Sequence, residues 1–186
     1  MKLLDIGLPG CTVIEPSVFG DERGWFYEGW NAARFAEHGL PTQFVQHNVS
    51  RSQKGVLRGL HYQWPGHVQG KLVSVLEGEV YDGAVDIRRG SPTFGQHAGV
   101  ILSADNKRHF WIPEGFAHGF LVLSDSAVFS YLCTAPYDRD SDNSVRWDDP
   151  QLAIDWPLED VSLSNKDATA PVLADVAPGR LPTYDA

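Results

Sequence analysis

The sequence predicts an all-β domain, a sandwich or barrel of short strands with a few short helices. Turn signals recur every several residues from Pro9 to about Pro136, and the runs between them are rich in Val, Ile, Tyr, Phe and Trp. That spacing suits stacked short strands rather than alternating βαβ units. The expected strands cover residues 12–19, 25–28, 44–50, 56–62, 71–77, 79–87, 96–102, 110–112, 116–123 and 127–133. In 79–87 Tyr81, Val85 and Ile87 share one face and Asp82 and Asp86 the other, a period of two. Residues 71–77 are apolar on both faces, as in a strand packed on two sides or facing a second subunit. Leu76-Glu-Gly78-Glu-Val80 reads as a tight turn joining these two strands. One helix is expected over 32–37, with Asn31 as its N-cap and Gly39 and Pro41 ending it.

Beyond Cys133 the composition changes, with Pro136, Pro150, Pro157, Pro171, Pro178 and Pro182 among several Asp. Trp147, Leu152, Ile154, Trp156 and Leu158 are too apolar for a disordered tail. Residues 134–178 are therefore expected to wrap against the barrel, fraying only after about Pro178, within a single domain spanning 1–186.

A chain of 186 residues fits that one domain and can bury a core without covalent staples. Lys plus Arg number 15 and Asp plus Glu 24, a net charge of −9, which argues against a nucleic-acid partner. Cys11 and Cys133 make no disulfide framework, and no Cys/His zinc spacing occurs. Asp5, Gly7 and Pro9 interrupt the N-terminal apolar run, so no signal segment is expected. No apolar run reaches membrane-spanning length. These features point to a cytoplasmic protein without a membrane partner.

Neither Gly-rich nucleotide loop, GxxxxGK[ST] or GxGxxG, is present, so any nucleotide must be held by arginines and aromatics. Two stretches carry the chemical information: Gly55-Val-Leu-Arg-Gly-Leu-His61-Tyr-Gln63 and Pro113-Glu-Gly115-Phe-Ala-His118. Together they resemble the two sequence blocks of the cupins, which implies a cupin-type double-stranded jelly roll. Metal-binding cupins carry a His-x-His pair and a Glu in the first block. Here Gln63 replaces the second His, and His67 stands in the place of the Glu. His61 and His118 supply two imidazoles, short of the three or four protein ligands usual for a transition metal. No metal and no cofactor are expected.

The resemblance sharpens along the chain. Phe19-Gly-Asp-Glu-Arg-Gly24, Ser52 through Gln63, Gly70-Lys71-Leu, Ala84-Val-Asp-Ile-Arg88, Ser91-Pro-Thr-Phe-Gly95 and Trp111 through Gly119 follow in order. Trp147-Asp-Asp-Pro150 and Leu163-Ser-Asn-Lys-Asp167 complete the set. From Ile14 to about Ala174 the chain resembles the dTDP-4-dehydrorhamnose 3,5-epimerase family. The resemblance implies a dTDP-4-keto-6-deoxyhexose substrate, inversion of the carbons flanking the ketone, and a homodimer with exchanged strands.

Such chemistry needs a base, a group that stabilises the enolate oxygen, and an acid on the opposite face. An imidazole titrates near working pH, at about 6.5, which suits His61 as the base. By resemblance Asp167 pairs with it, although its residue type alone reads as a solvated loop acid. Lys71, at the head of an apolar strand, reads as either an anion partner or an edge-strand charge. The resemblance places it at the keto oxygen. Tyr131, mid-strand between Phe129 and Cys133, reads as core, and the resemblance makes it the general acid. Arg23, Glu28, Gln46, Asn48 and Arg58 match the family's positions for the nucleotide and its diphosphate. Tyr137, Lys166 and His118 complete the expected substrate contacts.

Arg58 and His61 have opposite strand parity, so a bulge at Gly59 is needed to face them together. By that resemblance the chain departs from the family pattern at His47, Val49 and Gly83, which leaves the substrate preference open while sparing His61, Lys71, Tyr131 and Asp167. Three alternatives remain beside the double epimerase. One is an epimerase that inverts a single carbon. The others are a metal-dependent cupin and a non-catalytic sugar-binding jelly roll.

Overall fold

A computed structural model describes residues 1–184 and contains two antiparallel sheets facing each other. The six-stranded sheet is built from β1 (Lys2–Leu4), β2 (Thr12–Glu15), β5 (Gln46–Gln53), β7 (Lys71–Glu77), β10 (His109–Ile112) and β12 (Ser126–Cys133). Its spatial order is β1-β2-β10-β7-β12-β5. The five-stranded sheet uses β6 (Leu57–Gln63), β8 (Glu79–Asp86), β9 (His97–Ser103), β11 (Phe116–Val122) and β13 (Asp142–Ser144). Its order is β13-β6-β11-β8-β9. A separate hairpin joins β3 (Val18–Asp21) to β4 (Gly24–Tyr27). Chain neighbours such as β10 and β11 lie in different sheets, and this crossing back and forth makes the jelly roll.

Strand alternation sorts the side chains into three apolar layers. Val13, Val73, Val80, Phe110, Phe120 and Phe129 point inward from both sheets and pack as the central core. Leu72, Ile14 and Trp111 point outward from the six-stranded sheet and are covered by Phe35 of α1 (Ala32–Ala36), together with Leu40 and Phe44. The expected Asn31 cap is present, its side chain accepting from the Arg34 N–H. On the other sheet, Leu60, Tyr62, Val85 and Ile87 point outward against Val145, Leu152, Leu173 and Leu181 of the C-terminal segment.

The structure departs from the expected pattern, or adds to it, in four places. The strand expected over 12–19 breaks at Pro16, which cannot donate to a ladder, and β3 leaves the sheet to pair with β4. The strands β1 and β13, three residues each, were too short to stand out as periodic runs. The Asp82 face of β8 turns inward with Val80 and Ala84, and Asp82 is fully buried. Packing also continues past Pro178, where Leu181 is buried and Arg89 bridges to Thr183.

Phe110 is completely buried at the centre of the inner layer. Phe110→Ala is expected to lower stability by about 3–5 kcal/mol through lost transfer energy and the cavity left behind, read from the midpoint of urea unfolding.

Candidate active site

The expected irregularity at Gly59 exists and has a structural cause. Arg58 lies opposite Phe120 and His61 opposite His118, so three steps along β6 match two along β11. The extra residue reverses strand parity, and Arg58 and His61 both line the same cavity. Only glycine fits there, because a Cβ on Gly59 would lie 2.5 Å from the Gly119 Cα.

The C-terminal segment reaches this cavity along the start of β6. Leu57 N–H donates to Ser162 O at 3.0 Å, and Ser162 N–H donates to Gly55 O at 2.8 Å. Ser164 then caps the four-residue helix α2 (Asn165–Ala168), its hydroxyl accepting from the Asp167 N–H. That turn delivers the buried Asp167 to His61, whose Nε2 lies 2.6 Å from Asp167 Oδ1. The Asp167 carboxyl is stabilised against burial by His61 and Ser164, and its pKa falls below the ordinary value. An ionised carboxylate only accepts, so Nε2 carries the proton and Nδ1 keeps its lone pair. Burial lowers the His61 pKa, with Asp167 opposing that shift and Lys71 and Lys166 reinforcing it. At neutral pH the imidazole is therefore uncharged and able to take a proton.

Lys71 and Tyr131 enter from the six-stranded sheet, facing His61 across a cavity of about 410 Å³. Burial lowers the Lys71 pKa. The carboxylates around it are each held elsewhere: Asp167 by His61, Asp82 by His118 and Asp142 by Lys166. Asp142 and Asp82 oppose that shift from a distance, and among the described residues its ammonium has no direct ion-pair partner, which leaves it open to a ligand. Tyr131 is half-buried, and desolvation raises its phenol pKa, keeping the proton available. His118 lies beneath, buried, with Nε2 at 3.0 and 3.1 Å from the two Asp82 oxygens. Its ring stacks at 6.1 Å on Phe129. Asp82 was not singled out from the sequence, which set it only opposite the face of Tyr81, Val85 and Ile87.

A second cavity of about 290 Å³ shares His61, Lys71, Tyr131 and Lys166 with the first and adds Gln46, Asn48, Tyr137 and Asp142. Gln46 Nε2–H donates to Asn48 Oδ1 at 3.0 Å, and Gln46 Oε1 accepts from the Tyr137 N–H at 2.7 Å. Asp142, also missed from the sequence, accepts from Lys166 at 2.6 Å and from the Tyr137 hydroxyl at 3.3 Å. The joined space thus runs from the His61–Tyr131 pair to an exposed aromatic ring.

Two expected contacts are not brought there within one chain. Arg23 is exposed at the tip of the β3–β4 hairpin and pairs with Asp21. Glu28 pairs with Arg34 and accepts from Asn31 beside α1. Gln63, in the place of a cupin ligand, ties loops together instead, donating to His67 O and Pro136 O and accepting from the Asp138 N–H. Among the described residues no three His, Cys, Asp or Glu side chains converge as a metal site. His47 and Val49 alternate with the cavity-facing Asn48 and so point outward, His47 bonding Ser130 Oγ at 2.8 Å and Val49 exposed. Gly83 also faces outward, beneath Trp156. None of the three lines either cavity of the single chain.

A neutral imidazole and a phenol that face each other across one cavity suit the movement of a carbon-bound proton, the chemistry of an isomerase. The comparisons with known proteins make that class specific. The profile of the dTDP-4-dehydrorhamnose 3,5-epimerases matches residues 5–175. The Pseudomonas aeruginosa dTDP-4-dehydrorhamnose 3,5-epimerase is 53% identical over 177 residues, 94% of this chain and 97% of that one. The enzyme of the same description from Methanothermobacter thermautotrophicus is 52% identical over 169 residues, 89% and 91% of the two chains. A crystal structure of the Legionella pneumophila dTDP-6-deoxy-D-glucose-3,5-epimerase in complex with dTDP-4-keto-L-rhamnose superposes with a TM-score of 0.96. It shares 58% identity and covers 100% of this chain and 99% of its own. The chain belongs to the dTDP-4-dehydrorhamnose 3,5-epimerase family.

A His61 that serves as a base must be neutral, so kcat/KM is expected to rise with pH as His61 loses its proton, with a midpoint below 6.5. Asp167 holds that midpoint up, so Asp167→Asn should shift it lower still. The same change should cut the plateau by about 10²–10⁴-fold as the tautomer is lost, measured as initial rates against pH.

Proposed function

We propose that this chain inverts C3 and C5 of dTDP-4-dehydro-6-deoxy-D-glucose, giving dTDP-4-dehydro-L-rhamnose. The observation that carries the reading is the placement of His61 and Tyr131 on opposite sheets around one cavity, with Lys71 between the same walls. His61 Nδ1 takes the proton from the carbon beside the C4 ketone, and the electron pair moves into the carbonyl to give an enolate. The Lys71 ammonium meets the developing charge on O4. At about 4 Å and an effective dielectric near 20, that attraction is worth about 4 kcal/mol, roughly a thousandfold in rate. Tyr131 returns a proton to the same carbon from the other side, and the configuration inverts. The phenol and imidazole then exchange protons with water, and the cycle repeats at the second carbon. The sequence is redox-neutral.

Arg58 and Lys166 supply cations along the path to Tyr137, which suits a diphosphate followed by a stacked base. Arg23 enters this scheme from a second copy. The hairpin that carries it exposes Val18, Phe19, Trp25 and Phe26, an apolar arm that its own chain leaves largely open, with only Tyr27 and Lys107 against Trp25. A homodimer in which each arm reaches its neighbour's cavity covers that surface and completes the diphosphate site.

Incubation with the proposed substrate in heavy water, followed by NMR, should show deuterium at both C3 and C5. Deuterium at one carbon would make this a single-carbon epimerase, and none would end the enzymatic reading. Lys71→Ala should reduce kcat by about 10²–10³ with KM changed by less than about threefold, as expected for charge present only in the transition state. The arm exchange has its own test. Arg23→Ala and Lys71→Ala proteins, re-paired at equal amounts, should recover activity toward roughly a quarter of the sites, the share that combines an intact cavity with an intact arm. Additive residual activities would place Arg23 in its own chain's site or in none.

A further inference from the structure

We propose that Thr134 and Glu114 are positioning residues for Lys71, acting through the backbone of Gly70. The inference rests on the role given to Lys71 above. A lysine side chain has four rotatable bonds, and this ammonium has no carboxylate partner among the described residues to hold it in place. Its direction must be set largely at the other end, where the chain enters β7.

That entry is held from both sides. Lys71 lies opposite Ile112 of β10 and Cys133 of β12, the two strands that flank β7. One residue earlier the regular ladders stop and a side-chain clamp takes over. Gly70 N–H donates to Thr134 Oγ1 at 2.9 Å, while Thr134 N–H donates to Gly70 O at 3.1 Å. The Thr134 hydroxyl proton goes to Glu114 Oε1 at 2.5 Å. A hydroxyl has one proton, so committing it to the carboxylate turns a lone pair toward Gly70. Glu114 follows β10 and Thr134 follows β12, so the clamp joins both neighbours across the start of β7.

The space around Gly70 is filled as well. A Cβ there would lie 2.5 Å from Trp111 Cη2 and 3.1 Å from Glu114 Oε1. The glycine sits against the indole and the carboxylate with no slack on that side. A shift of about 1 Å at a reacting group can cost about a hundredfold in rate, so a clamp one residue from the catalytic ammonium has a kinetic consequence.

Thr134→Val keeps the shape of the side chain and removes the hydroxyl. It should lower kcat about tenfold with KM changed by less than about twofold, because Lys71 acts on charge that exists only in the transition state. Thr134→Ser restores the hydroxyl and should return kcat to within about threefold of the parent, while the thermal midpoint of either variant falls by only a few degrees. Glu114→Ala should move kcat in the same direction by a smaller factor, about threefold. An unchanged kcat in Thr134→Val overturns the proposal, as does a loss that serine fails to restore or that appears equally in KM. A parent enzyme that exchanges no substrate proton would instead overturn the epimerase reading, and this inference with it.

Discussion

The hydrogen bond from His61 to Asp167 joins residues 106 positions apart, and the proposed chemistry depends on it. One partner lies on an interior strand and the other in a four-residue helix that would have no stability alone. The helix exists because Ser164 caps it and because the preceding segment is strapped to β6 through Gly55, Leu57 and Ser162. The long C-terminal wrap, with Leu152, Leu173 and Leu181 buried on the outer face of the five-stranded sheet, brings that strap into range. A covering segment thus serves two ends: it closes an apolar face and carries a carboxylate around to the mouth of the barrel.

The cavity's electrostatics follow from which carboxylates remain free. Burying an ammonium is costly unless something compensates it. Here the nearby acids are committed to His61, His118 and Lys166, and Lys71 is left to the ligand. The same burial acts differently on each group. It lowers the imidazole of His61 toward a neutral base and raises the phenol of Tyr131 toward a retained acid. Burial in one cavity thus favours the neutral forms of both the imidazole and the phenol.

The strand runs and the single helix were readable from local pattern because alternation and turn residues act over a few positions. Pro16 was the visible signal that residues 12–19 could not be one strand, and Asp82 was in phase with Val80 and Ala84 from the start. Asp167 was different. Its partner is distant in sequence, its helix is one turn long, and by residue type alone it was a surface acid, so only the resemblance of its motif picked it out. The bulge at Gly59 was inferable from the parity of Arg58 and His61, but its cause, the contact with Gly119 on the neighbouring strand, is tertiary. Arg23 and Glu28 were picked out by the resemblance too, but within the chain they pair with Asp21 and Arg34 and lie outside the cavity.

Strand β5 shows how one run of residues answers to two constraints. Gln46, Asn48, Ser50 and Ser52 alternate with His47, Val49 and Arg51, and their registry with Cys133, Tyr131, Phe129 and Ala127 puts the first set on the cavity side. That set is polar and engaged: Gln46 holds the Tyr137 loop, Asn48 borders Tyr131, and Ser52 accepts from Arg58. The departures from the family pattern, His47 and Val49, fall entirely in the other set. Variation on that side alters what the outer face presents to a covering surface, with Val49 beside Ser130 and within the same sheet as the exposed Leu76. Change there is compatible with unchanged chemistry inside, since side chains 180° apart on a strand share no contacts. The period of two thus separates the residues that answer to the substrate from those that answer to whatever packs outside.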